Sequence, residues 1–152
     1  LKKVGAKIKL AKKQIEISGP KKIKNISNLV TKEYPNFPTE LQAHFMVLLC
    51  KAKGKSSITE SIFENRFMHV AELRRLGAEI LIKKNKAFIS GDTNFQAAEL
   101  MSSDLRASVA LVLAAIVAKG SSIINRIYHL DRGYENIENK LKKVGVNIRR
   151  IS

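Results

Sequence analysis

Two strand-like patterns recur along the chain, each with apolar and polar residues in alternation. KIKL and QIEI have this period of two, and so do EILIK and AFISG further on. A period of two predicts strands with one buried face and one face in water. Each pair is joined by a lysine-rich turn, AKKQ or KKNK. We therefore predict two hairpins, and expect further strands near residues 26–30, 57–62, 95–101 and 122–127.

The predicted helices are of two kinds. Residues 68–76 and 134–144 are amphipathic, whereas residues 41–52 and 105–118 are apolar almost all round. An all-round apolar helix is buried on most sides. Because the strands carry the polar faces, helices should lie inside and sheets outside. This inverts the usual α/β layering.

The two apolar helices have similar starts. Thr39 and Ser103 are good N-cap residues, followed by Glu40 and Asp104 in the first turn. A carboxylate in the first turn complements the helix dipole. We therefore expect the two helices to begin at Thr39 and Ser103.

An internal repeat organises these elements. LKKVGAKI, LRRLGAEI and LKKVGVNI begin at residues 1, 73 and 141, and each predicts a helix end with glycine as its C-cap. We expect repeat spans of about 1–72 and 73–140, with a further copy of the motif beginning in 141–152. The fold predicted is α/β (α+β), built from repeated βαβαββ units.

Charge raises a second possibility. The chain has 28 basic and 13 acidic residues, a net charge of +15, which would suit a nucleic-acid-binding module. The lysines are scattered, however, and the aromatic residues form no base-stacking pattern. Nucleic acid is therefore an unlikely partner.

Cysteine use and hydropathy indicate where the protein works. The single cysteine, Cys50, excludes an intrachain disulfide and sits in an apolar run typical of a core. The longest apolar run, residues 107–118, is too short to cross a bilayer, and nothing resembles a signal peptide. We expect a cytoplasmic protein with no membrane contact.

Four long strings resemble a known family. They are YPNFPTELQAHF, ITESIFENRFMHVAELRRLGAEI, SSDLRASVALVLAAIVAKG and INRIYHLDRGYENIENKLKKVGVNIRRI. They are similar to the C-terminal part of the UDP-N-acetylglucosamine 1-carboxyvinyltransferases, which are enolpyruvyl transferases. The resemblance implies an inside-out α/β barrel of three repeated units per domain. It also implies that this chain is a fragment, that the partner domain is absent, and that the fragment alone is inactive.

The resemblance implies a reaction and two substrates. The enolpyruvyl group of phosphoenolpyruvate moves to the 3-hydroxyl of UDP-N-acetylglucosamine and phosphate is released, the first committed step of peptidoglycan synthesis. Both substrates are anionic, and arginine binds such groups through a planar, permanently charged fork. Arg66 and Arg132 occupy equivalent loops in successive repeats, and the resemblance assigns both to the active-site cleft, with Arg132 contacting phosphoenolpyruvate.

Three further contacts are implied by the resemblance. Glu40 would contact the sugar and serve as the candidate base, where the family has aspartate. Asp104 would assist near the arginines, with Arg106 beside it as a substrate contact. Ile62 would offer a backbone contact to the uridine nucleotide.

Structural alternatives exist for each residue. Arg66 and Arg132 could pair with Glu64 and Asp131 to fix turns, and the two acids could only complement helix dipoles. No histidine or acidic spacing indicates a metal site, and we expect no cofactor. The alternative functions are a shikimate-pathway enolpyruvyl transferase and a nucleic-acid-binding module.

Overall fold

The structure, a computed structural model, describes residues 1–151. Two short 3-10 turns, at Lys2–Val4 and Thr39–Leu41, accompany eight strands and five helices. In chain order these are β1 (Lys7–Ala11), β2 (Gln14–Ser18), β3 (Leu29–Val30), α1 (Gln42–Cys50), β4 (Lys55–Thr59), α2 (His69–Arg75), β5 (Ile80–Lys83), β6 (Lys86–Ser90), β7 (Glu99–Met101), α3 (Leu105–Ile116), β8 (Ile123–Asn125), α4 (Tyr128–Asp131) and α5 (Ile137–Lys142).

The central sheet is formed by one βαβαββ unit. Its strand order is β3-β4-β6-β5, with β3 parallel to β4 and the other pairs antiparallel. The same pattern begins again with β7 and β8, which pair in parallel around α3. The β5–β6 hairpin, which follows LRRLG, joins the sheet of the preceding strands β3 and β4, whereas in the described residues the β1–β2 hairpin, which follows the first LKKVG, forms a sheet of its own. The predicted unit, βαβαββ, is confirmed.

The two apolar helices pack against each other at the centre. In α1 the side chains of Met46 and Leu49 are fully buried, and in α3 those of Ala110 and Leu111 are fully buried. Strands β5 and β6 lie outside them and alternate between more and less buried positions, whereas β4 is buried at three consecutive residues, Ser56, Ser57 and Ile58. Burial of aliphatic side chains at this density is the main favourable term in folding. The prediction of helices inside and sheets outside is confirmed.

The predicted glycines lie at or shortly after the helix ends. Gly5, Gly77 and Gly145 have φ values of 100°, 97° and 90°, a region that residues with a Cβ adopt only at a cost. Gly5 is the C-cap of its helical turn, as predicted, but the C-caps of α2 and α5 are Leu76 and Lys143, so Gly77 and Gly145 follow one and two residues later. The repeated LKKVG motif is therefore a helix-stop signal in all three copies.

The predicted helix starts were wrong. Asp104, not Ser103, is the N-cap of α3, and its side chain accepts hydrogen bonds from the next turn. Thr39 opens a 3-10 turn rather than capping α1, and its hydroxyl donates to the carboxylate of Glu60. A long-range carboxylate therefore takes the threonine hydroxyl that would otherwise serve as a local cap.

The β1–β2 hairpin also departs from expectation. Strands with a period of two should bury one face, but Leu10, Ile15 and Ile17 are 76%, 66% and 54% exposed. The two strands pair only with each other, and within residues 1–151 no element covers their apolar side chains. The alternating pattern therefore identifies an apolar face of the β1–β2 hairpin that no other element within residues 1–151 covers.

The C-terminal part of α3 also leaves apolar side chains partly exposed. Leu113, Ile116 and the C-cap residue Val117 are between 36% and 48% exposed, although residues 107–112 and Ala114 are buried. No helix within residues 1–151 is long and apolar enough to cross a membrane.

Candidate functional site

An ion pair joins the starts of the two central helices. Glu40, just before α1, accepts a hydrogen bond from the guanidinium of Arg106 in the first turn of α3. The Glu40 side chain is 54% exposed and that of Arg106 is 34% exposed. Arg106 lowers the pKa of the Glu40 carboxyl, chiefly through this hydrogen bond, and Glu40 raises the pKa of Arg106. Because α1 packs against α3, residues from two repeats meet at one end of the helix pair.

Arg66 lies near this pair. Its guanidinium stacks on the ring of Phe63, with 4.2 Å from Cζ to the ring centroid. Its positive charge contributes to lowering the pKa of Glu40, which places the two side chains in the same electrostatic environment. Arg66 makes no ion pair with Glu64 within the described part of the chain. The turn-fixing alternative therefore lacks support here.

Asp104 is held by the helix that it caps. Its Oδ1 accepts hydrogen bonds from the backbone amides of Arg106 (2.9 Å) and Ala107 (3.0 Å). Burial would raise the pKa of Asp104, but these amides and the Ser103 hydroxyl outweigh it and lower the pKa. The carboxylate is therefore ionised at neutral pH and aimed along the first turn of α3. The helix-dipole explanation holds for Asp104.

Arg132 lies at the end of α4 and is exposed. Within residues 1–151 it makes no hydrogen bond or ion pair, and Asp131 pairs with Arg150 instead, at 2.7 and 2.9 Å. The next residue, Gly133, packs so tightly on α3 that an added Cβ would lie 2.9 Å from Leu105. The backbone next to Arg132 therefore packs against the start of α3. Within residues 1–151 the Arg132 side chain makes no hydrogen bond or ion pair with the other candidate residues.

Glu60 is a site neighbour that sequence reasoning missed. It follows β4, is 2% exposed, and accepts hydrogen bonds from Thr39, the residue before Glu40, and from the amide of Ile62. The backbone amide of Ile62 is therefore already occupied. No local pattern distinguishes Glu60 from the exposed glutamates of the chain, because the hydroxyls that replace its hydration, those of Thr31 and Thr39, come from distant segments.

Two histidines border these residues. His69 is 4% exposed at the start of α2, and burial lowers its pKa to about 4, a shift that nearby Asp104 opposes. Burial also lowers the pKa of His44, whose Nε2 lies 3.2 Å from the hydroxyl of Tyr134. Both imidazoles are neutral at pH 7 and border the end of the helix pair that carries Glu40 and Asp104. Within residues 1–151 no group of three or more metal-binding side chains is close enough to hold an ion.

The Glu40 and Arg106 side chains are partly exposed at the surface. Two concavities, of about 460 and 680 Å³, occur elsewhere, one beside the β1–β2 hairpin and one beside β5 and β6. Neither is lined by any of the predicted site residues. Both concavities also have basic and acidic side chains, but we give more weight to the cluster of Glu40, Arg66, Asp104 and Arg106, because it gathers the residues that the family resemblance assigns to the active site.

The chain is similar to several proteins named UDP-N-acetylglucosamine 1-carboxyvinyltransferase. It is 67% identical over its whole length to the UDP-N-acetylglucosamine 1-carboxyvinyltransferase of Pelagibacter ubique, and 51% identical to that of Desulfosudis oleivorans. It is 51% identical over 97% of its length to that of Helicobacter pylori. The chain spans only about a third of these relatives, 36% of the first two and 35% of the third. The family resemblance read from the sequence is confirmed.

A solved structure supports the fold. The enolpyruvyl transferase NikO from Streptomyces tendae superposes with a TM-score of 0.89 at 24% identity, covering 97% of this chain and 34% of that one. The family model described as EPSP synthase (3-phosphoshikimate 1-carboxyvinyltransferase) matches residues 1–141. The chain therefore belongs to the EPSP synthase (3-phosphoshikimate 1-carboxyvinyltransferase) family.

Proposed function

We propose that this chain forms part of an enzyme that transfers the enolpyruvyl group of phosphoenolpyruvate to the 3-hydroxyl of UDP-N-acetylglucosamine. The observation that carries the proposal is the Glu40–Arg106 ion pair at the start of the two central helices, with the charge of Arg66 near enough to contribute to lowering the pKa of Glu40. Relatives that are 50–67% identical bear the name of this activity. The product would enter peptidoglycan synthesis, and we propose that the enzyme works in the cytoplasm.

The chemistry needs a base, an acid and cationic groups. The sugar 3-hydroxyl attacks C2 of phosphoenolpyruvate while the methylene carbon takes up a proton, and phosphate and a proton then leave. Glu40 is the proposed base for the hydroxyl, and Asp104 assists beside it. Arg132 binds the anionic groups of phosphoenolpyruvate, and Arg66 and Arg106 bind the sugar nucleotide beside Glu40. The backbone at Ile62 contacts the uridine nucleotide.

The Glu40–Arg106 ion pair has a consequence for this mechanism. With its pKa lowered by Arg106, Glu40 is a weak proton acceptor while the pair is intact. An anionic substrate group that binds Arg106 competes with Glu40 for the guanidinium. Substrate binding would then raise the basicity of Glu40 at the moment when a base is needed.

The exposure of the candidate residues supports an active site that a second domain completes. The side chains of the cluster remain partly exposed, and the apolar faces of β1–β2 and α3 are not covered within residues 1–151. We propose that the part of the enzyme matching the rest of the longer relatives supplies the partner domain. Residues 1–152 alone would then be inactive.

The test is a chimera with the 67%-identical relative of Pelagibacter ubique, in which this chain replaces the region that it matches. We expect phosphate release from phosphoenolpyruvate with UDP-N-acetylglucosamine. Activity with shikimate 3-phosphate instead would favour the sibling reaction, which the name of the family model also describes. No turnover with either acceptor would refute the proposal.

Arg132 gives a sharper test in the same chimera. Arg132→Ala should lower kcat/KM about 100-fold or more, because it removes a charged contact to the transferred group, with little loss of stability. Arg149→Ala removes a similarly exposed arginine outside the site and is the matched control. Normal kinetics for Arg132→Ala would contradict the assignment.

A further inference from the structure

The buried carboxylate of Glu60 is an unusual feature of the chain. It is 2% exposed, and within residues 1–151 it has no basic partner within ion-pair distance. A carboxylate removed from water is costly unless hydrogen bonds replace its hydration. Four donors do so: the hydroxyls of Thr31 (2.8 Å) and Thr39 (2.8 Å) and the amides of Ile62 (3.0 Å) and Phe63 (3.3 Å).

These donors belong to three separate segments. Thr31 follows β3, Thr39 directly precedes Glu40, and Phe63 belongs to the loop that leads to Arg66. The ring of Phe63 is also the surface on which the Arg66 guanidinium stacks. One carboxylate therefore ties together the backbone that carries Glu40 and the ring that supports Arg66.

The backbone of Glu60 is held by hydrogen bonds to Asn85. Its amide donates to the carbonyl of Asn85 (2.8 Å), and its carbonyl accepts from Asn85 Nδ2 (3.0 Å). Asn85 lies in the tight turn between β5 and β6. The amide of the next residue, Ser61, donates to the Thr31 hydroxyl at 2.9 Å. The carboxylate is thus anchored to the central sheet.

The second repeat folds without this arrangement. The amide of Thr31 donates to the carbonyl of Thr59, and in the second repeat the amide of Ser102 donates to the carbonyl of Asn125 in the same way. By this correspondence Arg126 stands where Glu60 stands in the first repeat. The buried hydroxyl of Ser102 has no hydrogen-bond partner. Strands β7 and β8 and helix α3 form all the same, so the carboxylate is not required by the repeat fold.

We propose that Glu60 is a positioning residue for the sugar nucleotide, acting by holding Glu40 and Arg66 in register. This role rests on the proposed function, in which Glu40 and Ile62 contact that substrate. Phosphoenolpyruvate is bound through Arg132 in the other repeat, which Glu60 does not touch. Loss of the carboxylate should therefore affect one substrate and spare the other.

The experiment measures both Michaelis constants in the chimera. For Glu60→Gln we expect KM for UDP-N-acetylglucosamine to rise about tenfold or more and kcat to fall, because small displacements of reacting groups are costly. KM for phosphoenolpyruvate should stay within about twofold, since Arg132 keeps its place. A purely structural role would reduce the amount of folded enzyme without separating the two constants.

A second variant keeps the test valid if Glu60→Gln does not fold. Thr39→Val removes only the hydroxyl beside Glu40 and should give the same selective rise in KM, by about threefold to tenfold. Ser102→Ala, which removes a hydroxyl without a partner, is the matched control and should change neither constant.

The possible failures are distinguishable. An active parent enzyme whose Thr39→Val variant has an unchanged KM for the sugar nucleotide would overturn this role alone. An equal rise in both Michaelis constants would do the same. An inactive parent would instead overturn the proposed function, and this role with it.

Discussion

His69 makes the stability of the protein depend on pH in a predictable way. The side chain is 4% exposed, its Nε2 has no hydrogen-bond partner, and burial lowers its pKa from 6.5 to about 4. In the unfolded chain the imidazole is in water and titrates near its ordinary pKa of about 6.5. Between these two values the unfolded state binds a proton that the folded state does not bind.

The sign and size of the effect follow from this difference. Stability is full above pH 6.5, falls as the pH drops through the window, and has lost the whole contribution below pH 4. A shift of one pKa unit corresponds to about 1.4 kcal/mol, so the full loss is about 3 kcal/mol. At pH 4.5 most of it, about 2.5 kcal/mol, is already lost.

Urea denaturation followed by circular dichroism tests this. We expect the unfolding free energy of the chain to fall between pH 7.5 and pH 4.5 by about 2 to 3 kcal/mol more than that of His69→Gln. Carboxylates and His44 titrate in both proteins, so their contributions cancel in the comparison. An equal pH dependence in the two proteins would refute the idea that His69 is neutral because it is buried.

Two further stability predictions come from single contacts. Asp104→Ala removes the N-cap of α3 and should lower the unfolding free energy by about 1 kcal/mol, whereas Asp104→Asn keeps a capping oxygen and should stay within a few tenths. Equal losses in urea would contradict the capping assignment. Gly91→Ala would place a Cβ 1.9 Å from the carbonyl oxygen of Ala52 and 2.4 Å from that of Gly54, and should cost about 2 kcal/mol or more by thermal or urea unfolding. Gly19→Ala, with open space around its Cβ, is the control, and a similar cost there would refute the steric reasoning.

The sequence determined the elements and their layering. Period-two alternation predicted β1, β2, β5 and β6, and all-round apolar runs predicted two central helices, because these patterns reflect burial residue by residue. The repeated LKKVG motif gave the helix ends, since a left-handed C-cap favours glycine whatever the surroundings. The long family strings gave the candidate site residues.

Only the tertiary structure decided which side chains meet. Three contacts join residues far apart in sequence: the pairing of Glu40 with Arg106, the pairing of Asp131 with Arg150 rather than Arg132, and the hydrogen bonds of the Thr31 and Thr39 hydroxyls to Glu60. The burial of His69 has the same origin. Such contacts depend on the packing of α1 against α3 and on the placement of loops over the sheet. A local pattern encodes the periodicity of one element, and it carries no record of which element will lie beside it.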